Sequence, residues 1–348
     1  MIGINGLELQ MRNVLSQADK PRVSVIIVNW NGAEHLRVCL PSLASQSFES
    51  LEIIVVDNRS SDDSAEVARR LRVRWLPLEK NLGLAPALNR GATIASGDLL
   101  LFVNNDMRFD PGFVAALVEP LERDEEVFAT DGMQFNWDGT VCEHLAARLT
   151  NVPPRRDSSA ELVPGLYFYQ QEKAEKSRVF MASAACMMVR RTLFEKLGGF
   201  DDRLPLGYED VEICWRAWVH RWKTVYVPNA ICWHRVGGSV RSLEGARFSF
   251  RGVLKGRLLL ATKLLPARYA FRTWLVSTAG LAKDISQLRW NFATDRVGVL
   301  FHMAGLLVQL LREKRTLFRD ARSSPEEQVD YMLRLTDGDI QAGRCNQV

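Results

Sequence analysis

Residues 99–110 read LLLFVNNDMRFD. An apolar run, Leu99 to Val103, stops abruptly on Asn104, Asn105 and Asp106. A continuous apolar run of this length suits a strand buried on both faces of a parallel sheet. The polar residues that close it suit a turn, since Asn and Asp favour one and Pro111-Gly112 follows. They equally suit a site, because ligands of open parallel α/β sheets bind just beyond the carboxyl ends of the strands. The flanking sequence decides between the two.

Upstream, VSVIIV (23–28) and LEIIVVD (51–57) have the same continuous apolar character and read as buried parallel strands. RVRWLPL (72–78) reads as a weaker one. Between and after them, HLRVCLPSLASQ (35–46), SSDDSAEVARRLR (60–72), APALNRGATIAS (85–96) and PGFVAALVEPLER (111–123) carry helical apolar spacing. This β-α-β-α alternation predicts a doubly wound, mostly parallel sheet with helices on both faces. Residues 133–180, which include NVPPRRDSS, read as a long loop or flap. FMASAACMMVRRTLFEKLGGF (180–200) resumes strand and helix. ICWRAWVHRW (213–222) is helical, and its Trp215, Trp218 and Trp222 form a core stripe. Beyond residue 245 the pattern is helical throughout, and no repeat of fixed period occurs. The expected organisation is an N-terminal extension (1–20), an α/β domain (21–244) and a C-terminal helical region (245–348).

The chain has 348 residues, 47% of them apolar and 25% charged, which argues against disorder and leaves ample material for a core. Six cysteines stand at 39, 142, 186, 214, 232 and 345 with no C-x-x-C pair, so reduced thiols in a cytoplasmic setting are expected. The first twenty residues lack the apolar core of a secretory signal. The strongest apolar run, VGVLFHMAGLLVQLL (297–311), is shorter than a spanning segment. Residues 241–322 hold sixteen Lys/Arg against five Asp/Glu, a net +11, so the remainder of a +4 chain carries −7. The two parts therefore meet different partners.

Polar clusters recur at the predicted strand ends: Asn29, Trp30 and Asn31 after the first strand, DNRSSDD (57–63) after the second, the Asn104–Asp106 triplet, Glu209 and Asp210 opening a helix, and His234 closing TVYVPNAICWH. Singly, each is explained by a turn or a helix cap. Together, on one edge of one sheet, they indicate a site.

In this order, PRVSVIIVNWNG, VVDNRSSDDS, NLGLAPALNRG, GDLLLFVNND and GGFDDRLPLGYEDVEICWRA, then WH, the chain resembles the family 2 inverting glycosyltransferases of the GT-A fold, and more narrowly the bacterial rhamnosyltransferase-like members. The resemblance spans about residues 21–240. It implies transfer of a sugar from dTDP-rhamnose or a UDP-hexose to a saccharide, or to a polyprenyl-diphosphate-linked saccharide, in bacterial surface polysaccharide synthesis. It implies that Asp57 reads the imide N–H of the base, that Trp30 stacks on it, and that Asn29, Asn31, Asn81, Asn89, Asn104 and Asn105 line the donor pocket. Asp106 and His234 would hold Mg²⁺ or Mn²⁺ against the diphosphate. Asp210 would be the general base, with Glu209 beside it to orient the acceptor or support the helix start. One departure is clear: the family's Asp-x-Asp has Asn at position 104 here. A sugar-1-phosphate nucleotidyltransferase would need a Gly-rich basic loop where NWNGAEH stands, and a non-catalytic sugar-binding relative would have lost Asp106 or Asp210. No nucleic-acid-binding motif is present.

In RGVLKGRLLLATKLLP (251–266), Leu254, Leu258, Ala261 and Leu265 fall on one helical line and Arg251, Lys255 and Lys263 largely off it. This predicts an amphipathic helix with a basic face, serving as a peripheral foot on an anionic inner membrane surface, or else packing within a helical subdomain or a homodimer.

Overall fold

In β1 (Val23–Asn29), alternate side chains enter two different cores. Val23, Val25 and Ile27 join one, and Ile26 the other. The same alternation holds in β2 (Leu51–Asp57), and β3 (Arg74–Pro77) lies beyond it. In β4 (Leu99–Asn104), Leu99, Leu101 and Val103 face one side and Leu100 and Phe102 the other. Burial on both faces is why these strands read as unbroken apolar runs.

The helices that cover them follow the expected alternation. Helices α1 (Ala33–Ala44) and α2 (Ser64–Arg70) contribute to the first core, and α3 (Leu84–Ile94) to the second. After the short β5 (Met107–Phe109), α4 (Phe113–Arg123) returns to the first. Asp62 explains part of this geometry: its carboxylate accepts the Ala33 N–H (2.9 Å) at the start of α1 and the Ser64 N–H (3.1 Å) at the start of α2. One side chain thus satisfies a first-turn N–H of each helix.

The structure, a computed structural model, describes residues 22–342 except 141, 145, 154–158, 172–176 and 236–244. The predicted extension, 1–20, lies outside the described residues. The chain continues through β6 (Val127–Asn136), β7 (Cys142–His144), β8 (Ala146–Thr150), β9 (Ser159–Val163), β10 (Leu166–Gln171), β11 (Ser177–Arg178) and β12 (Cys186–Arg190). Helices α5 (Arg191–Lys196) and α6 (Glu209–Val219), then β13 (Lys223–His234), complete the α/β part. The large sheet has the order β11-β13-β6-β12-β4-β1-β2-β3, with β5 on β13 and β7 on β6. β2, β1, β4 and β3 run parallel, β13 runs parallel to β6, and β12 runs antiparallel between β4 and β6. The strand order reverses beside β1, which puts the ends of β1, β2 and β4 side by side.

The segment 133–180, expected to be a loop or flap, is instead largely β-structure. Its β8, β10 and β9 form a second, antiparallel sheet. Ala147, Leu149, Leu162, Val163 and Leu166 are buried in the second core. The individual strands are short, and a polar, proline-containing stretch interrupts them. Their order comes from a tertiary partner, the C-terminal helices, which local periodicity does not reveal.

Those helices are α7 (Gly245–Leu264), α8 (Ala267–Ser286), α9 (Trp290–Asp320) and α10 (Pro325–Ala342). The predicted apolar line on α7 is buried: Leu254, Leu258, Ala261 and Leu265. The predicted basic face is divided, however: Arg251 is exposed and Lys255 half-buried. Lys263 is buried, and its Nζ lies 2.6 Å from Asp201 Oδ2 and 2.6 Å from Glu212 Oε1. Glu212 also holds Arg216 (2.7 Å), and Asp201 holds Arg203, which reaches Glu313 on α9 (2.6 Å). Burial acts to raise the Asp201 carboxyl, but Arg203 and Lys263 outweigh it and hold that group well below the usual carboxylate range. The C-terminal region is thereby clamped to α6.

Removing one partner from such a network leaves buried charge uncompensated. Lys263→Ala is expected to cost about 3–5 kcal/mol of stability. Urea unfolding measures it, and an unchanged midpoint would show that the clamp carries no load.

Candidate functional site

β1, β2 and β4 end in register. Asn29 pairs with Asp57 across β1–β2, and Val28 with Asn104 across β1–β4. β12 is antiparallel, so its beginning lies at this same edge: the Asn104 N–H donates to the Ala185 carbonyl at 3.1 Å. The Ala184 N–H in turn donates to Asp210 Oδ2 at 3.3 Å. At the far side, His234 closes β13 opposite Met107, which places its imidazole beside Asp106. Residues more than a hundred positions apart thus share one sheet edge.

The strand ends are cross-tied. Asn105 Nδ2 donates to Asn29 Oδ1 at 2.7 Å, and Asn29 Nδ2 donates to Ser60 Oγ (3.1 Å) and Asp57 Oδ1 (3.4 Å). The Ser60 hydroxyl donates to Asp57 Oδ1 (2.5 Å) and its N–H to Oδ2 (3.1 Å). Gly32 is required here. A Cβ on it would stand 2.1 Å from Asn105 Nδ2 and 2.5 Å from Asn29 Oδ1. Asn29 and Asn105 are fully or almost fully buried and act as ties between strands. Asn31, exposed in the left-handed region (φ 50°), accepts the Ser61 N–H at 2.7 Å. Trp30 is half-buried between them.

Asn81 is exposed and accepts the Gly83 N–H at 2.9 Å. The residue that anchors this segment is Asn58, a buried amide that sequence reading passed over. Its Oδ1 accepts the Leu82 N–H (2.7 Å) and its Nδ2 donates to the Gly83 carbonyl (3.0 Å). Asn89, expected in the donor pocket, is not brought to this edge. It sits halfway down α3, and its amide bonds the Phe200 N–H (3.0 Å), the Phe200 carbonyl (2.9 Å) and Asp202 (2.7 Å). It pins the 200–202 turn instead.

Asp106 is 5% exposed and its Oδ1 lies 3.3 Å from His234 Nε2. Hard divalent cations bind oxygen at about 2.1 Å in octahedra, which sets adjacent ligands roughly 3 Å apart. The pair fits one edge of such an octahedron. Two protein donors are also what a cation takes when substrate phosphates complete its shell. Asn104, half-buried and two residues before Asp106, carries an amide oxygen of the same hard character. The neighbouring residues Arg108, Trp233 and Arg235 join a cation–ring stack that sequence reading did not find. The Arg108 guanidinium lies between the rings of Trp137 (4.9 Å) and Trp233 (4.7 Å), and Arg235 stands over Trp137 at 5.7 Å. The alternation of cation and ring in MRF and ICWHR is its only linear trace.

Glu209 and Asp210 open α6, where the helix dipole favours acidic groups. Both are buried. Burial, and then the neighbouring Asp210 carboxylate, push the Glu209 carboxyl up to about 8, against hydrogen bonds that include the Gly207 N–H (2.7 Å) and the Tyr208 N–H (3.0 Å). A carboxyl raised in this way is held toward its neutral form.

The comparisons with known proteins agree with this geometry. Residues 24–198 match Glycosyl transferase family 2. The N-acetylglucosaminyl-diphospho-decaprenol L-rhamnosyltransferase of Mycobacterium tuberculosis is 31% identical over 235 residues, 60% of this chain and 75% of that one. The O-antigen biosynthesis protein RfbC of Myxococcus xanthus is 31% identical over 200 residues, 56% of this chain but 16% of that much longer one. Among solved structures, GalNAc-T7 with UDP, GalNAc and Mn²⁺ has a TM-score of 0.57 at 19% identity, over 80% of this chain and 55% of that one. The mannosyltransferase PcManGT of Pyrobaculum calidifontis, in complex with GDP-Man and Mn²⁺, has a TM-score of 0.52 at 17% identity, over 88% of this chain and 95% of that one. The fold is therefore that of the GT-A glycosyltransferases, and the chain belongs to glycosyl transferase family 2.

Proposed function

We propose that this glycosyltransferase is an inverting, divalent-metal-dependent enzyme that moves a sugar from dTDP-rhamnose or a UDP-hexose to a hydroxyl of a lipid-linked saccharide. The observation that carries the reading is the gathering of Asp57, Asp106 with His234, and Asp210 on one sheet edge. The mycobacterial relative, an L-rhamnosyltransferase that acts on a decaprenol-diphosphate-linked sugar, supports rhamnose as donor sugar and a polyprenyl-diphosphate-linked acceptor. Such an acceptor is reached from the cytoplasmic face of the membrane, which is where we place the reaction.

Asp57 retains acceptor capacity beyond the two bonds from Ser60 and the longer one from Asn29. A carboxylate there accepts the imide N–H of uracil or thymine and meets cytosine N3 lone pair to lone pair. Trp30, next in the chain to Asn29, which pairs with Asp57 across β1–β2, supplies a ring face for the base. Asp106 and His234 would hold Mg²⁺ or Mn²⁺. That ion, when bound, offsets charge developing on the leaving diphosphate. Asp210 takes the proton of the acceptor hydroxyl as its oxygen attacks the anomeric carbon. The attack comes from the face opposite the diphosphate, whose bond to that carbon breaks. Glu209, protonated near neutral pH, stays uncharged beside the base and leaves proton abstraction to Asp210.

The test is a panel of nucleotide-sugars with purified protein, scored by nucleoside diphosphate release. Release from thymidine or uridine donors and none from cytidine donors supports the reading, and no release from any donor refutes it. Asp210→Asn is expected to lower turnover by about 10²–10⁴-fold while calorimetric donor affinity stays near wild type. Asp106→Ala is expected to weaken donor binding, and His234→Ala to act in the same direction more mildly. Full activity in excess EDTA would exclude the metal role of both.

Glu209 also imposes a pH dependence. Its folded pKa, about 8, lies above its ordinary 4.5. The folded state therefore holds a proton that the unfolded chain releases. Stability from this group is complete below the ordinary value and is lost as pH rises through about 8. Thermal melts between pH 5 and 9 are expected to show a decline for wild type that Glu209→Gln reduces. An equal decline in both would refute the assignment.

A further inference from the structure

With Lys263 and the apolar line of α7 buried, the basic and apolar surface of the C-terminal region lies elsewhere. It is on the α8–α9 hairpin. α9 is apolar on two faces. Met303 and Leu310 on one are fully buried and join Leu254 and Leu258 of α7 in one cluster. On the other, Phe301 is 82% and Val308 61% exposed. α8 adds Phe271 (71%) and Leu275 (54%), and the turn between the helices projects Leu288 (72%) and Trp290 (58%). A helix apolar all round wants cover on both sides, and this one has it on one. An exposed apolar surface of this extent marks an interaction site.

The charge around it has one sign. Arg268, Arg272, Lys283, Arg312 and Arg315 are exposed on the two helices. The acids Asp284, Asp295 and Glu313 are buried or half-buried, and Asp284 and Glu313 are held by Arg296 and Arg203. The one exposed acid on these helices, Asp320, pairs with Arg319. A two-fold contact with a second copy would set these arginines against one another. An anionic bilayer instead complements both the cations and the apolar side chains. Tryptophan at the turn suits the headgroup level. α9 is, among the described residues, the one helix long and apolar enough to cross a membrane. Its fully buried contacts with α7 oppose this, because crossing would strip Met303 and Leu310 from their core.

We infer that the outer face of the α8–α9 hairpin is a peripheral docking surface for anionic lipid, seated by the exposed apolar residues and held by the surrounding arginines and lysine. The inference goes beyond the proposed reaction and does not depend on it, since vesicle binding is read without donor or acceptor. The experiment is cosedimentation of the full chain with phosphatidylcholine vesicles, with and without phosphatidylglycerol. Binding is expected only with phosphatidylglycerol, and to weaken with salt. Arg312→Glu with Arg315→Glu is expected to lower the vesicle partition at least about tenfold. Phe301→Glu with Val308→Glu, a pair on an exposed face, is expected to do the same, with melting temperature and nucleoside diphosphate release unchanged. Three results would overturn the inference: equal binding to both vesicle types or to neither, indifference to both variant pairs, or a dimer in sedimentation that Phe301→Glu with Val308→Glu converts to monomer. Resistance of the membrane-bound protein to high-salt extraction would also overturn it, in favour of a spanning helix.

Discussion

Glu212 is a carboxylate with no exposure to solvent, held by Arg216 and Lys263. Leaving such a charge unpaired in the interior is among the costliest defects a fold can carry, so the geometry of its partners is strongly determined. Arg216 also bonds the carbonyls of Leu197 (2.5 Å) and Gly199 (2.7 Å), which fixes the turn after α5. Lys263 brings in α7, and through Asp201 and Arg203 the contact extends to α9. Asp210 lies two residues before Glu212 on the same helix. The clamp that joins the C-terminal helices to the α/β part therefore also orients the candidate base.

A second constraint acts at the strand ends. Parallel register places Asn29 against Asp57, and reversal of strand order beside β1 places Asn104 next to both. The polar residues there need partners once buried, and they find them in one another: Asn105 to Asn29, Asn29 to Ser60, Ser60 to Asp57. The space for this exists because position 32 carries no Cβ. Internal ties thus hold the residues next to them, Trp30, Asn31, Asn104 and Asp106, at the rim. Asparagines in one short motif divide into those that build the edge and those that face outward from it.

The C-terminal region shows how an identical pattern serves different ends. The apolar periodicity of α7 and that of α9 are alike in sequence. α7 buries its apolar line, and Lys263 becomes part of a buried ion network. α9 covers α7 with one face and leaves the other to solvent. Hydrophobic pattern states that a helix has a face to bury, and only the surrounding elements decide what buries it.

The sequence by itself determined the parallel strands, the helices between them and the strand-end clusters, because burial on both sheet faces and termination at a ligand edge each leave a local mark. Asp57, Asp106, Asp210 and His234 stand in those clusters, and the family resemblance singles them out. Tertiary structure alone decided the rest. The sheet formed by β8, β9 and β10 exists because helices distant in sequence cover strands too short to declare themselves. Asn89 faces the 200–202 turn, and Asn58 rather than Asn81 anchors the 81–84 segment, because an amide is satisfied by whichever backbone groups the fold presents. The Arg108, Trp137 and Trp233 stack joins three separated strand ends. The fate of Lys263 depends on two carboxylates, Asp201 and Glu212, that lie more than fifty residues away. Periodicity is a property of neighbours along the chain, whereas hydrogen bonds and ion pairs are completed by neighbours in space.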